Sequence, residues 1–271
     1  MPVAHDQGVC IRHWDFSETS QTVSLFGRGL GLVRGLAKGA RRERGAFDGG
    51  IDLLSRGEFG AIVKPGRELA TLTEWDLLEV FPRLRMDLAA NRAAFYMADL
   101  VGRMLAPEDP HPALFDRLVD SLRTLGGARD PGEPPPDGAG ALLGFQWTLL
   151  CETGHRPNVD VDVPSADAVL AYRPDAGSFA PAPAAGTAWK VRGSTVRALQ
   201  SVDAGAVVAG PPEPSERANR FLAACLREVL GAEPPTMRAV FGTRGMPVPQ
   251  AAPGASGAPG DTSARSAGRS G

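Results

Sequence analysis

Six basic side chains and one acid fall within residues 27–44 of this chain: Arg28, Arg34, Lys38, Arg41, Arg42 and Arg44 against Glu43. Elsewhere the sequence is close to neutral, because the whole chain sets 29 Lys plus Arg against 31 Asp plus Glu for a net charge of −2. A local excess of about five positive charges on such a body suits a polyanion, most simply a nucleic-acid backbone. The cations alternate with Gly35, Ala37, Gly39 and Ala40. Small neighbours let a phosphate chain approach closely and leave main-chain amides free to bond it. Trp14, Phe16 and Phe26 lie in the same region and could stack on bases, or equally fill a core. The plain alternative for the whole basic run is a solubilising hairpin.

Other chemistry finds little support. Lys38 is followed by Gly39, so no GxxxxGK[ST] loop forms, and Gly27, Gly29 and Gly31 lack the third glycine of a GxGxxG register. No GxSxG elbow occurs. His5, His13, His111 and His155 are scattered, in no metal-ligand spacing. Cys10, Cys151 and Cys225 form no CxxC pair and sit in apolar stretches, which predicts buried free thiols in a reducing compartment. Catalytic residues and metal ligands are therefore expected to be absent, and the protein is expected not to be an enzyme.

The elements that must position the basic run can be read from periodicity. Residues 9–79 hold five candidate strands. Val9, Ile11 and His13 alternate with Cys10, Arg12 and Trp14; then come 21–26, 32–38, 53–64 and 69–77, separated by Gly, Pro, Asp and Ser. Five short strands in so little chain suit a small closed barrel, because closure removes unpaired edges. From Pro82 the period becomes helical, with Leu84, Leu88, Phe95, Leu100 and Met104 in step. Helices are expected over 82–104, 111–125, 141–152 (capped by Gly154) and 215–230, with a short turn at 236–241. On the 215–230 helix, Phe221, Leu222, Cys225, Leu226 and Val229 should share a buried face. Trp75 and Trp147 read as core, and Trp189 as an anchor for its loop. Residues 157–190 show little periodicity. The last stretch, 246–271, is mostly Pro, Gly, Ala and Ser and is expected to be disordered. The expected organisation is an α+β chain with a barrel at 1–80, a helical domain at 81–245 carrying an irregular insertion at 157–190, and a tail. No signal peptide or membrane-spanning run of about 18 apolar residues is evident, so the cytoplasm is the expected compartment.

With those residues read, the chain resembles the RecO family of bacterial DNA repair and recombination proteins. The resemblance rests on Trp14-Asp-Phe-Ser-Glu-Thr-Ser20, on Val23-Ser-Leu-Phe26, on Gly31-Leu-Val-Arg-Gly-Leu-Ala-Lys-Gly-Ala-Arg-Arg42, and on Leu149-Leu-Cys-Glu-Thr-Gly-His-Arg-Pro157. It implies an OB-fold barrel followed by a helical domain, and a non-enzymatic recombination mediator. Such a protein binds single- and double-stranded DNA, anneals strands, and loads recombinase with RecR and single-strand-binding protein, in the bacterial cytoplasm at the nucleoid. The motif places DNA contacts at Arg34, Lys38, Arg41 and Arg42; Arg44 extends the same run. Many members carry four zinc-binding cysteines in two CxxC pairs just after the position of Pro157. Here Val159-Asp-Val-Asp-Val-Pro-Ser165 and Ala185-Gly-Thr-Ala-Trp-Lys-Val-Arg192 have none, so the insertion is expected to be metal-free and no cofactor is expected. The family's helical domain also receives the acidic, apolar C-terminal peptide of single-strand-binding protein. The 82–104 helix offers Arg85, Arg92 and Arg103 beside Leu84, Leu88 and Phe95 for that peptide, or is simply amphipathic with a solvated basic edge. The competing functional expectation is a protein-interaction adaptor with residual nucleic-acid binding.

Overall fold

The computed structural model describes residues 2–42, 45–47, 49–64, 66–128, 137–181, 188–206 and 212–242 of the 271-residue chain. Strands β1 (Ala4–Asp15), β2 (Gln21–Gly27), β3 (Gly31–Ala37), β4 (Arg56–Ile62) and β5 (Ala70–Glu79) close into a barrel in the order β1-β2-β3-β5-β4. All pairings are antiparallel except β3 with β5, which meet in parallel from Gly35 and Ala70. This is the small closed barrel the strand spacing implies, consistent with the OB-fold the family resemblance implies. Its interior is filled by Cys10, Val23, Leu25, Val33, Phe59, Leu72 and Trp75, the inward half of each strand's alternation.

The alternation of β1 breaks at one point. Cys10 lies opposite Leu25 while Arg12 lies opposite Ser24, so Ile11 is an extra residue, a β-bulge. Past an inserted residue the two faces of a strand exchange. Arg12 and Trp14 therefore stand on the outer face, not inward with Cys10 as simple alternation suggests. Half of that outer face is covered: Val9, Ile11, Phe26 and Leu32 join one continuous core with the helices.

The expected 82–104 helix is two elements. A 3-10 turn at Pro82–Arg85 is followed by α1 (Leu88–Met104), capped by Asp87, whose carboxylate accepts from the amides of Ala89 and Ala90 at 2.9 and 3.1 Å. A short acidic side chain serves a helix start better than its interior, which places the break. Next come α2 (Pro112–Gly126) and α3 (Gly138–Glu152); the chain leaves α3 through Gly154 at φ +75°. Residues 157–190 are only partly irregular: 157–168 form a loop, but regular strands follow. Strands β6 (Val169–Arg173), β7 (Ser178–Pro181) and β8 (Trp189–Arg192) make an antiparallel sheet, and α4 (Gly193–Asp203) follows directly. Strands this short leave too few alternations to register in the sequence.

Trp189 anchors the insertion as expected, through an aromatic cluster on α5 (Pro212–Leu230). Tyr172 lies 4.8 Å from Phe221 and 5.5 Å from Trp189, and Phe179 stacks on Phe221 at 5.6 Å. On α5, Phe221, Leu222, Cys225 and Leu226 are buried, but Val229 near the helix end is exposed. The last described element is α6 (Pro235–Phe241). Residues 246–271 lie outside the described residues.

Candidate nucleic-acid interface

The uncovered half of the outer barrel face is built by register. Arg12, Ser24 and Arg34 oppose one another across β1, β2 and β3, and Trp14, Thr22 and Leu36 form the next row. Directly opposed side chains have Cβ atoms about 5 Å apart, and the small Ser24 is buried between the two arginines. Arg34, Lys38 and Arg42 are exposed. Among the described residues none of these three side chains has a hydrogen-bond or ionic partner. Arg41, beside them, pairs with Asp15 and is partly neutralised. Arg44 lies outside the described residues. Arg28, at the hairpin tip, makes a bidentate pair with Asp116 of α2 at 2.9 Å per arm, which holds that carboxyl below its ordinary range and joins barrel to helix.

Two loops flank this face. Residues 16–20, after β1, carry Phe16, which is 63% exposed; Trp14, at the end of β1, is 50% exposed. Phe26 is not available for stacking: it is wholly buried and meets Phe115 edge-on at 5.8 Å. On the other side, between β4 and β5, Lys64 and Arg67 are exposed, and among the described residues their side chains have no hydrogen-bond or ionic partner. Arg34 and Arg67 line one cleft of about 390 Å³, which Glu68 and Glu108 line as well. A face of β2 and β3 with these two loops is where such barrels hold oligonucleotides. Sequence reasoning missed Arg12, because the bulge decides its face. It also missed Lys64 and Arg67, because only the parallel β3–β5 contact brings their loop near Arg34.

Arg12 has a second attachment. With Arg103 and Thr236 it converges on Asp99 of α1, a nearly buried carboxylate that accepts from Arg103 at 2.9 Å and from Thr236 at 2.7 Å. The proposed peptide rim is thereby divided. Arg103 is engaged at Asp99, about 16 Å along the helix axis from Arg92 by helix rise. Arg85 pairs with Asp52 on the 3-10 turn, and Leu84 is buried. What remains is a cleft of about 440 Å³ where Val80, Phe81, Leu84 and Phe95 meet His13 and Arg85.

Cys10 and Cys225 are buried, which pushes both thiols up to about 12. Cys151 departs from expectation and is exposed at the end of α3. Among the described residues of the insertion, Val159 is buried and Asp160 and Asp162 face solvent, whereas structural zinc takes Cys or His. Gln200 instead donates to the carbonyls of Val159 and Val161 at 2.9 Å each, so hydrogen bonds hold the loop as well as packing. Among the described residues no group of three or more His, Cys, Asp or Glu is gathered, and no helix is long and apolar enough to cross a membrane.

Two family models match this chain: Recombination protein O N terminal over residues 1–81 and Recombination protein O C terminal over residues 85–238. The DNA repair protein RecO of an Anaeromyxobacter species is 31% identical over 237 residues, covering 83% of this chain and 90% of that protein. The protein of that name from Rhodopirellula baltica is 36% identical over 149 residues, 55% of this chain and 53% of the relative. That from Geobacter sulfurreducens is 34% identical over 154 residues, 57% and 60% of the two chains. These last two alignments span little more than half of each relative.

Proposed function

The chain belongs to the RecO family, and from that premise we propose that it is a recombination mediator in DNA repair that binds DNA on the β2–β3 face and breaks no bonds. One observation carries the reading: Arg34 stands exposed at the end of the row Arg12, Ser24, Arg34, in which Ser24 itself is buried, with the uncompensated charges of Lys38 and Arg42 beside it. Phosphates common to single- and double-stranded DNA would sit along that row. Binding both forms, annealing complementary strands and helping to load recombinase are the activities proposed, in the cytoplasm at the nucleoid. RecR and the C-terminal peptide of single-strand-binding protein are the proposed protein partners. The cleft between Val80, Phe95 and Arg85 has an apolar wall and one arginine, which the carboxylates of an acidic, apolar peptide would take over from Asp52.

Salt titration of oligonucleotide binding tests the reading. Each single-strand phosphate contact contributes about −0.7 to the slope of log affinity on log salt. Replacing Arg34, Lys38 and Arg42 together with Ala should flatten that slope by about two units. An unchanged slope would move the surface elsewhere. The adaptor alternative has its own observation, since Leu77, Leu78, Val80, Met86 and Leu88 are exposed around the barrel–helix junction. A protein that binds no oligonucleotide at low salt would leave the adaptor standing.

A further inference from the structure

Trp14 and Phe16 are fixed beside the uncompensated cations by a joint between two turns. The turn after β1 closes through the Phe16 amide, which donates to the Ser20 carbonyl at 2.9 Å. It docks on the turn after β3: the Arg41 amide donates to the Thr19 carbonyl at 3.1 Å, and the Gly39 amide to Ser20 Oγ at 3.2 Å. The Arg41–Asp15 pair ties the same two segments through side chains. Both rings nonetheless stay more than half open to solvent, or at half, while Trp75, Trp147 and Trp189 are 2%, 5% and 5% exposed. Trp14 also lines a cleft shared with Arg12, Ser24 and Arg34. A turn whose backbone is already anchored can present exposed rings to a base without the cost of ordering a loop on contact.

We propose that Trp14 and Phe16 make this face discriminate single-stranded from duplex nucleic acid. The proposal rests on the DNA-binding reading above. Phosphates are present in either form, so Arg34, Lys38 and Arg42 hold both. Base faces are open to an aromatic ring only where the strand is unpaired, and stacking on them is indifferent to sequence. A duplex can engage the cations but leaves the rings idle.

The experiment compares three labelled ligands of equal length at one salt concentration: a single strand, its abasic counterpart and a duplex. Full-length protein is titrated by fluorescence anisotropy. Trp14→Ala and Phe16→Ala should each weaken single-strand binding about tenfold and leave abasic and duplex affinities unchanged. Trp14→Phe keeps a ring and should retain most single-strand affinity. Intrinsic fluorescence should fall on adding single strand but not abasic strand, and Trp14→Phe should abolish that fall. Equal losses on all three ligands, or no loss on any, would overturn the discrimination while leaving the cationic surface intact. Wild-type protein that binds none of the three would instead remove the DNA-binding reading, and the proposal with it.

Discussion

Gly31 turns the β2–β3 hairpin at φ +68°, and a Cβ there would lie 2.4 Å from the main-chain oxygen of Asp109. Two costs therefore fall on any other residue. A left-handed backbone disfavours an L side chain by about 1–2 kcal/mol, and the neighbour it would strike is backbone that cannot swing away. The hairpin also needs that neighbour, because the Leu32 carbonyl accepts from the Glu108 amide at 3.2 Å. Gly31→Ala should lose at least about 2 kcal/mol of stability in denaturant unfolding. A loss under about 0.5 kcal/mol would show that the 105–111 connection yields. Arg41 illustrates a subtler point at this scale. It shares its type and neighbourhood with Arg42, yet its pairing with Asp15 means that Arg41→Ala should flatten the salt slope less than Arg42→Ala does.

At the scale of elements, the three-stranded sheet β6–β8 with its preceding loop is the region to which the family resemblance, read from sequence, assigns a zinc site expected to be lost here. The aromatic cluster of Tyr172, Phe179, Trp189 and Phe221, together with the Gln200 amide, holds this region by other means. Purified protein should accordingly contain well below stoichiometric zinc, and a chelator should leave its melting temperature unchanged. Stoichiometric metal after dialysis, found by elemental analysis, would show that Cys151, His155 and the insertion's aspartates gather in a way the sheet does not suggest. The bulge in β1 is the other decisive element. Without it, Arg12 and Trp14 would point toward a barrel interior that has no room for them.

At the scale of the whole molecule, one ion-pair link between barrel and helices lies where Glu79, at the end of β5, meets Arg123 of α2 and Arg56 of β4. Arg123 donates at 2.9 and 3.0 Å and Arg56 at 3.0 Å. Hydrogen bonding from Arg123, then from Arg56, holds the Glu79 carboxyl below its ordinary range. A carboxyl depressed in the folded state stabilises above its unfolded pKa, about 4.3, and loses that contribution as pH falls through the folded value. Glu79→Gln should therefore cost about 1 kcal/mol at pH 7, the scale of a partly solvated ion pair. Its deficit should shrink on acidification from about pH 4.3 downward, in melts compared across that range. A deficit constant with pH would assign the cost to packing. Much of this architecture was legible from residue order. Barrel strands alternate over several residues, helices repeat their apolar stripe over several turns, and the cationic run is contiguous, so local pattern alone located them. Non-local relations were not: the bulge at Ile11, the parallel closure that carries Arg67 toward Arg34, the pairing that removes Arg103 from any peptide rim, and the short strands of the insertion. Each depends on which distant segment lies alongside, and a one-residue register shift or a single partnering carboxylate leaves no periodic trace in the chain.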